Sequence, residues 1–188
     1  AFKEGIGRPA VVTTYYHDMI HGQQMNHSDV RTLLEGKDLD GIVSVMDYGL
    51  GRALGRTSAF NSMAASLRLH NKIYLSELDY RTDYSWLPSD ALNFRTSWGV
   101  PKGEEAWAHQ LRRDLGMNLA QGEGSWIYGL GGNGWVNEKY MAGIAEANKV
   151  ATTAARAPMP EDRGQIAVFC DEQVQDYTTR DNIFGASV

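Results

Sequence analysis

Short apolar, β-branched runs alternate along this chain with longer stretches of helical spacing. Residues 10–16 (AVVTTYY) form the first run and predict a buried strand. A polar, His-rich loop is expected over 17–28. A short helix is expected over 29–35, with Ser28 as its N-cap. Residues 41–46 (GIVSVM) predict a second strand, followed by Gly-rich loop chemistry from Gly49 to Gly55. Residues 58–70 have helical spacing, with Met63, Leu67 and Leu69 apolar. A third strand is expected over 72–78 (KIYLSEL), then an irregular stretch over 88–98. Residues 102–121 predict a long helix stopped by Gly122, and 124–129 (GSWIYG) a short fourth strand. Another helix over 138–155, a linker over 158–163 and a fifth strand over 165–170 (QIAVFC) complete the pattern.

Strand and helix in regular alternation imply parallel βα units and an α/β fold. Four such units fill residues 10 to about 155, whereas a complete eight-stranded βα barrel takes about 250 residues. The expectation is a partial, half TIM-type barrel over residues 1–157. Residues 158–188 then supply a linker and one extra C-terminal strand, which opens a following domain or adds to the first. There is no internal repeat, and both ends read as cuts inside something longer. A half barrel exposes sheet edges and an apolar interior, which is costly. It is therefore expected to pair with a second copy of itself or with a missing N-terminal half, burying Ile73, Leu75 and Val43.

Composition narrows the function classes. The 188 residues carry 18 Lys and Arg against 23 Asp and Glu, a net charge of −5 without the basic excess of a dedicated nucleic-acid binder. No apolar run reaches the roughly 18 residues of a membrane span. The single cysteine, Cys170, excludes an intrachain disulfide and a Cys-based zinc cage, and reads as an inert core thiol. It leaves the compartment open. The 9 Tyr and 5 Trp suit flat, partly polar ligands such as sugars, although core packing is the commoner role of any single aromatic.

The segment KIYLSELDYRT carries the most chemistry. Alternation along a strand puts Ile73, Leu75 and Glu77 on one face. Two apolar residues followed by a carboxylate is the expected profile of a barrel interior rising to its open mouth, where βα barrels hold their chemistry. Asp79 and Arg81 continue that rim. A carboxylate kept ionised by a nearby cation can attack an anomeric carbon. A rim salt-bridge cluster with a purely structural role fits the same residues.

This segment resembles the motif around the catalytic nucleophile in glycoside hydrolase family 42 and its clan A, β-galactosidase-like relatives. There, Lys and an aromatic precede a Glu-x-Asp-x-Arg-Thr run at the end of the seventh barrel strand. LDGIVSVMDYGLGRALG resembles the sixth strand and its loop, with Tyr48 and Arg52 at the family's Tyr and Arg positions. LRRDLGMNLAQGEGSWIYGL resembles the helix and eighth strand that close the barrel, where an aromatic such as Trp126 lines the sugar site. GQIAVFCDEQ resembles the first strand of the domain after the barrel. The resemblance spans roughly residues 38 to 175 and is specific at 77–82. It implies a retaining glycosidase with Glu77 as nucleophile, needing no cofactor. Tyr48, Arg52, Asp79, Arg81 and Trp126 would orient the sugar or the nucleophile. The family's acid/base is a Glu after an Asn at the end of the fourth strand. No Asn-Glu pair precedes Glu77, and Asn137–Glu138 falls after the eighth-strand region. The chain would therefore carry one of two catalytic groups. The competing expectation is an inactive half barrel that self-associates and at most binds carbohydrate weakly.

Three further patterns compete for attention. Gly129, Gly131 and Gly134 match a dinucleotide-binding G-x-G-x-x-G, but no strand ends in an acidic residue about 20 positions on, so a loop at the barrel mouth is the better reading. His17, His21 and His27 lie near Asp18 and Asp29, yet His17 follows a strand rather than sitting on a helix, so no metal site is expected. Tyr16 and His17, at that strand end, are instead candidates to hydrogen-bond a sugar. The charges over 104–113 have the spacing of a solvated helix face.

Overall fold

The structure is a computed structural model that describes residues 2–16, 29–46, 53–57, 62–79, 81–82, 84, 101, 103–129, 137–158 and 164–169. Its elements run α1 (Phe2–Ile6), β1 (Thr13–Tyr15), α2 (Val30–Glu35), β2 (Gly41–Val45), α3 (Ala64–Leu69), β3 (Ile73–Leu78), α4 (Gly103–Ala120), β4 (Gly124–Ile127) and α5 (Glu138–Ala154). The strands form one four-stranded parallel sheet in chain order, β1-β2-β3-β4. The alternation of apolar runs and helical spacing is thus realised as an α/β fold.

The chain divides into two compact units, with boundaries inside β2 and β3. The first comprises Ala1–Ser44, Asn61–Ile73 and Pro160–Val188. Its described core gathers Tyr16, Ile42, Ala64 and Leu67. Asp40 ties its N-terminal segment down. The carboxylate accepts from Lys3 Nζ at 2.6 Å and from the Val12 amide at 2.7 Å, and the Asp40 amide donates to Val12 O at 2.7 Å. The hydrogen bond from Lys3 and that from Val12 hold the Asp40 carboxyl below its ordinary range. Lys72 Nζ donates to the carbonyls of Gly36 and Leu39. At Gly41 a Cβ would meet Ile73 O at 2.2 Å, so only glycine lets the two backbones approach.

The second unit comprises Val45–Phe60 and Tyr74–Met159. Its core is Met46, Leu78, Trp107, Leu111 and Tyr140, with Ile127, Ile144 and Ala147 packed against it. Trp107 and Tyr140 meet edge to face, centroids 5.0 Å apart. The face of α4 that carries Trp107 and Leu111 also buries Gln110, Asp114 and Asn118, a polar row at four-residue spacing. Asn118 Nδ2 donates to Ser125 Oγ of β4 at 3.0 Å.

Helix α3 and helix α4 hand over to the next strand in the same way. After α3, Asn71 adopts φ +54°, its amide donates to Arg68 O and the Lys72 amide to Leu67 O. After α4, Gly122 adopts φ +72°, its amide donates to Leu119 O and the Glu123 amide to Asn118 O. Both are Schellman closures, which satisfy the last helical carbonyls and turn the chain directly into a strand.

Four expectations are corrected. The N-cap of α2 is Asp29, whose side chain accepts from the Thr32 amide at 3.2 Å, and Ser28 lies outside the described residues. Helix α3 begins at Ala64 rather than 58, and Leu69 faces solvent, because two residues at 3.6 per turn carry it about 200° round the helix from the buried Leu67. Strand β1 is confined to three residues. Residues 165–169 form no strand, and Ile166, Val168 and Phe169 are exposed, Phe169 by 92%. An apolar β-branched run becomes a strand only where another edge receives it. Cys170 lies outside the described residues.

Gly41→Ala is expected to lower the midpoint of urea unfolding by the equivalent of about 1–3 kcal/mol, the range for overpacking, whereas Gly5→Ala, which meets no atom within 4 Å and lies in α1, does not lower it. Asp40 has a lowered native pKa, so its stabilisation is complete above the unfolded carboxyl value of about 3.9 and is lost as pH falls through the lower native value. Asp40→Asn should destabilise the chain at neutral pH, with the gap to wild type closing as a urea titration is repeated at progressively more acidic pH.

Candidate functional site

The C-terminal ends of β3 and β4 bring the candidate residues together. Two contacts fix which way their side chains point. Leu78 enters the core beside Trp107 and Leu111, and Ser125 bonds to Asn118 of α4, so both face the helix. A Cβ on Gly124 would meet Leu75 Cδ2 at 2.5 Å, so Leu75 and position 124 share the opposite face. With period two along each strand and the pairing of Glu77 with Trp126, both side chains lie on the face turned away from α4. The Glu77 backbone is pinned by its carbonyl, which accepts from the Met46 amide at 3.1 Å. The Tyr128 amide donates to Leu78 O at 3.1 Å, which carries the ladder one step past β4.

The accessibility gradient along that face reverses the expected one. Ile73 is exposed and Leu75 half-buried, whereas Glu77 is 7% exposed and Asp79 2%. Glu77 was expected at an open lip with apolar residues packed below it. In the structure the carboxylates are the enclosed groups. Burial of this kind needs polar or charged partners, and none of Glu77, Asp79, Arg81 and Thr82 stands without one. Arg81 is half-buried and Thr82 buried, its hydroxyl accepting from the Tyr84 amide at 3.2 Å. Trp126 is 42% exposed.

Tyr16 belongs to the first unit, where it is buried and its amide donates to Val43 O at 2.8 Å, extending β1 by one bond. Its side chain is enclosed in that unit, as those of Glu77 and Asp79 are in the second. His17, Tyr48 and Arg52 lie outside the described residues, as do His21, His27, Gly131 and Gly134. Among the described residues no group of three His, Cys, Asp or Glu side chains is placed to hold a metal ion, and no helix is long and apolar enough to cross a membrane.

Several residues around the site were not singled out by pattern. Asn137, half of the misplaced Asn-Glu pair, is the N-cap of α5 and accepts from the Lys139 amide at 2.7 Å. Its Nδ2 donates to Tyr84 Oη at 3.1 Å and to Glu104 Oε1 at 3.0 Å. Lys139 Nζ meets Glu104 Oε2 at 2.7 Å; that bond holds the Glu104 carboxyl below its usual range and raises the lysine. Tyr84 also stands edge-on to Tyr140, centroids 6.2 Å apart. This latch joins the segment after β3 to the first turns of α4 and α5.

Arg113 was expected on a solvated face. Instead it grips the buried Asp114 carboxylate through Nε at 2.7 Å and donates to the carbonyls of Ala53 and Arg56. The segment after β2 is thereby anchored to α4. Glu105 and Arg112 do face solvent. Sequence spacing offered no signal for either anchor, since each links positions far apart in the chain. Tyr128 was legible, because it sits two residues past Trp126 and so shares its face. A pocket of about 240 Å³ between α4 and α5 is lined mainly by aliphatic residues such as Leu115, Leu119 and Val150, without the convergent polar groups of a ligand site.

No protein-family model, curated protein or solved structure matches the chain.

Asn137→Ala removes both the cap and the latch and should cost about 1–2 kcal/mol in chemical denaturation. Asn137→Ser keeps a capping oxygen but not the reach to Tyr84 and Glu104, and should fall between the variant and wild type.

Proposed function

We propose that this chain is the nucleophile-bearing part of a retaining β-galactosidase-like glycoside hydrolase, its sheet being half of a TIM-type barrel. The observation that carries the reading is the pairing of Glu77 with Trp126 at the carboxyl ends of adjacent parallel strands, on the face turned away from the helix. Such strand ends are where α/β sheets take their ligands. An aromatic face beside a carboxylate is the chemistry of sugar recognition and glycosyl transfer.

In this reading a Glu77 oxygen attacks the anomeric carbon as the bond to the leaving oxygen breaks, giving a glycosyl ester on Glu77. A second carboxyl group, from a missing N-terminal half or a second copy, protonates that oxygen. It then removes a proton from the water that cleaves the ester. Retention sets the two carboxyl groups about 5–5.5 Å apart. Asp79 is unsuited to that role, because it follows Glu77 on the same strand rather than facing it across a sugar. Asp79, Arg81, Tyr48 and Arg52 would orient the nucleophile or the sugar. The burial of Glu77 and Asp79 favours a second reading, an inactive half barrel that self-associates through Leu75 and its neighbours and binds carbohydrate weakly.

A glycosyl donor whose leaving group needs no proton isolates the nucleophile. Incubation with 2-deoxy-2-fluoro-β-galactosyl fluoride should add one sugar to the chain, located at Glu77 by peptide mass spectrometry. Glu77→Gln should take up none. With dinitrophenyl β-galactoside the same substitution should cost about a thousandfold or more in rate. An unlabelled wild type that hydrolyses no faster than Glu77→Gln removes the catalytic assignment, and a dimer in sedimentation then favours the second reading.

A further inference from the structure

We propose that a water molecule is bound between α4 and the sheet, held by Ser76 of β3 and Asn118 of α4 beside Ser125 of β4. The site lies on the helix-facing side of the sheet, opposite Glu77, and is independent of the glycosidase reading.

The polar side chains of this spot converge from three elements. Ser76 and Ser125 are register partners on adjacent parallel strands. Ser125 faces α4 because Asn118 Nδ2 bonds to its Oγ at 3.0 Å. Ser76 faces the same way because it lies two residues before Leu78, which enters the core beside Trp107. Neighbouring strands are about 4.8 Å apart, so the Ser76 hydroxyl stands about one strand spacing from the hydroxyl that Asn118 touches.

The hydrogen bonds of this cluster are incomplete. Asn118 and Ser76 are buried, 0% and 1% exposed. Asn118 spends its amide donor on Ser125, but among the described residues neither Asn118 Oδ1 nor Ser76 Oγ has a hydrogen-bond partner. Such orphans are rare in folded proteins, because each gives up its hydration without return. The two atoms do not bond each other, so their separation exceeds a direct hydrogen bond. A water bridges them by accepting from the Ser76 hydroxyl and donating to Asn118 Oδ1. Its second proton has the remaining lone pair of Ser125 Oγ nearby. The cluster thus supplies the roughly two to four polar partners that a buried water needs.

The chemistry of the cluster selects water over an ion. An amide and two hydroxyls carry no net charge. The nearest carboxylates along the chain are engaged elsewhere: Asp114 is gripped by Arg113, and Glu123 accepts from the Tyr74 amide at 3.2 Å. The consequence is mechanical. Asn118 reaches β4 directly, and the water extends the hold of α4 to β3, the strand that carries Glu77.

Oxygen-17 relaxation dispersion of the solvent counts the water molecules that a protein retains far longer than bulk. On the full chain it should find one long-lived water fewer in Ser76→Ala than in wild type. The same variant should unfold at lower urea, because loss of the water leaves Asn118 Oδ1 buried without a donor. Were the Ser76 hydroxyl simply orphaned, its removal would relieve a cost, and the variant would unfold at equal or higher urea. That result, or an unchanged water count, overturns the proposal. A crystal structure of the wild-type chain reads the site without any variant. A water within hydrogen-bond reach of both Ser76 Oγ and Asn118 Oδ1 upholds the proposal. An unhydrated pair, bonded directly or left apart, overturns it.

Discussion

The commitment of Leu78, Ile127 and Met46 to the core around Trp107 governs the rest of the second unit. A strand offers its side chains alternately to two faces. Once one set is packed against α4, the other set has no freedom left. Glu77, Trp126 and Tyr128 thereby fall on the far face. A slip of one residue in β3 would drive Glu77 into the aromatic core and Leu78 out of it.

The polar row on α4 works within the same packing. Gln110, Asp114 and Asn118 lie at four-residue intervals on a helix face that also carries Trp107 and Leu111. Buried polar groups are costly unless matched, and matching demands a definite geometry. Asn118 finds Ser125, and Asp114 finds Arg113. Apolar contacts tolerate small translations of a helix across a sheet. The bond from Asn118 to Ser125 does not, so it fixes where α4 sits along β4.

Much of this arrangement is legible in the sequence. The apolar runs at 41–45 and 73–78 and the helical spacing over 103–120 emerge as elements within a residue or two of where the pattern puts them. The stop at Gly122 is legible too, because a positive φ after a helix favours glycine. Asn71 performs the same task with a less obvious residue. Failures arise where long-range partners decide. Residues 165–169 have strand composition but no receiving edge, and Arg113 looks solvated until the carbonyls of Ala53 and Arg56 are brought to it. The enclosure of Glu77 belongs to the same class: alternation gives its face, but only assembled neighbours give its depth.

The two Schellman closures divide the molecule's capacity for change unevenly. Between α3 and β3, and between α4 and β4, the chain reverses within three residues whose amides are already committed to the preceding helix. An inserted residue there would break hydrogen bonds and shift a strand at once. The connections that leave β3 and β4 toward the following helices are much longer. New loops, altered specificities and acquired chemistry thus have one rim of the sheet open to them, while the opposite rim is held to a near-invariant joinery.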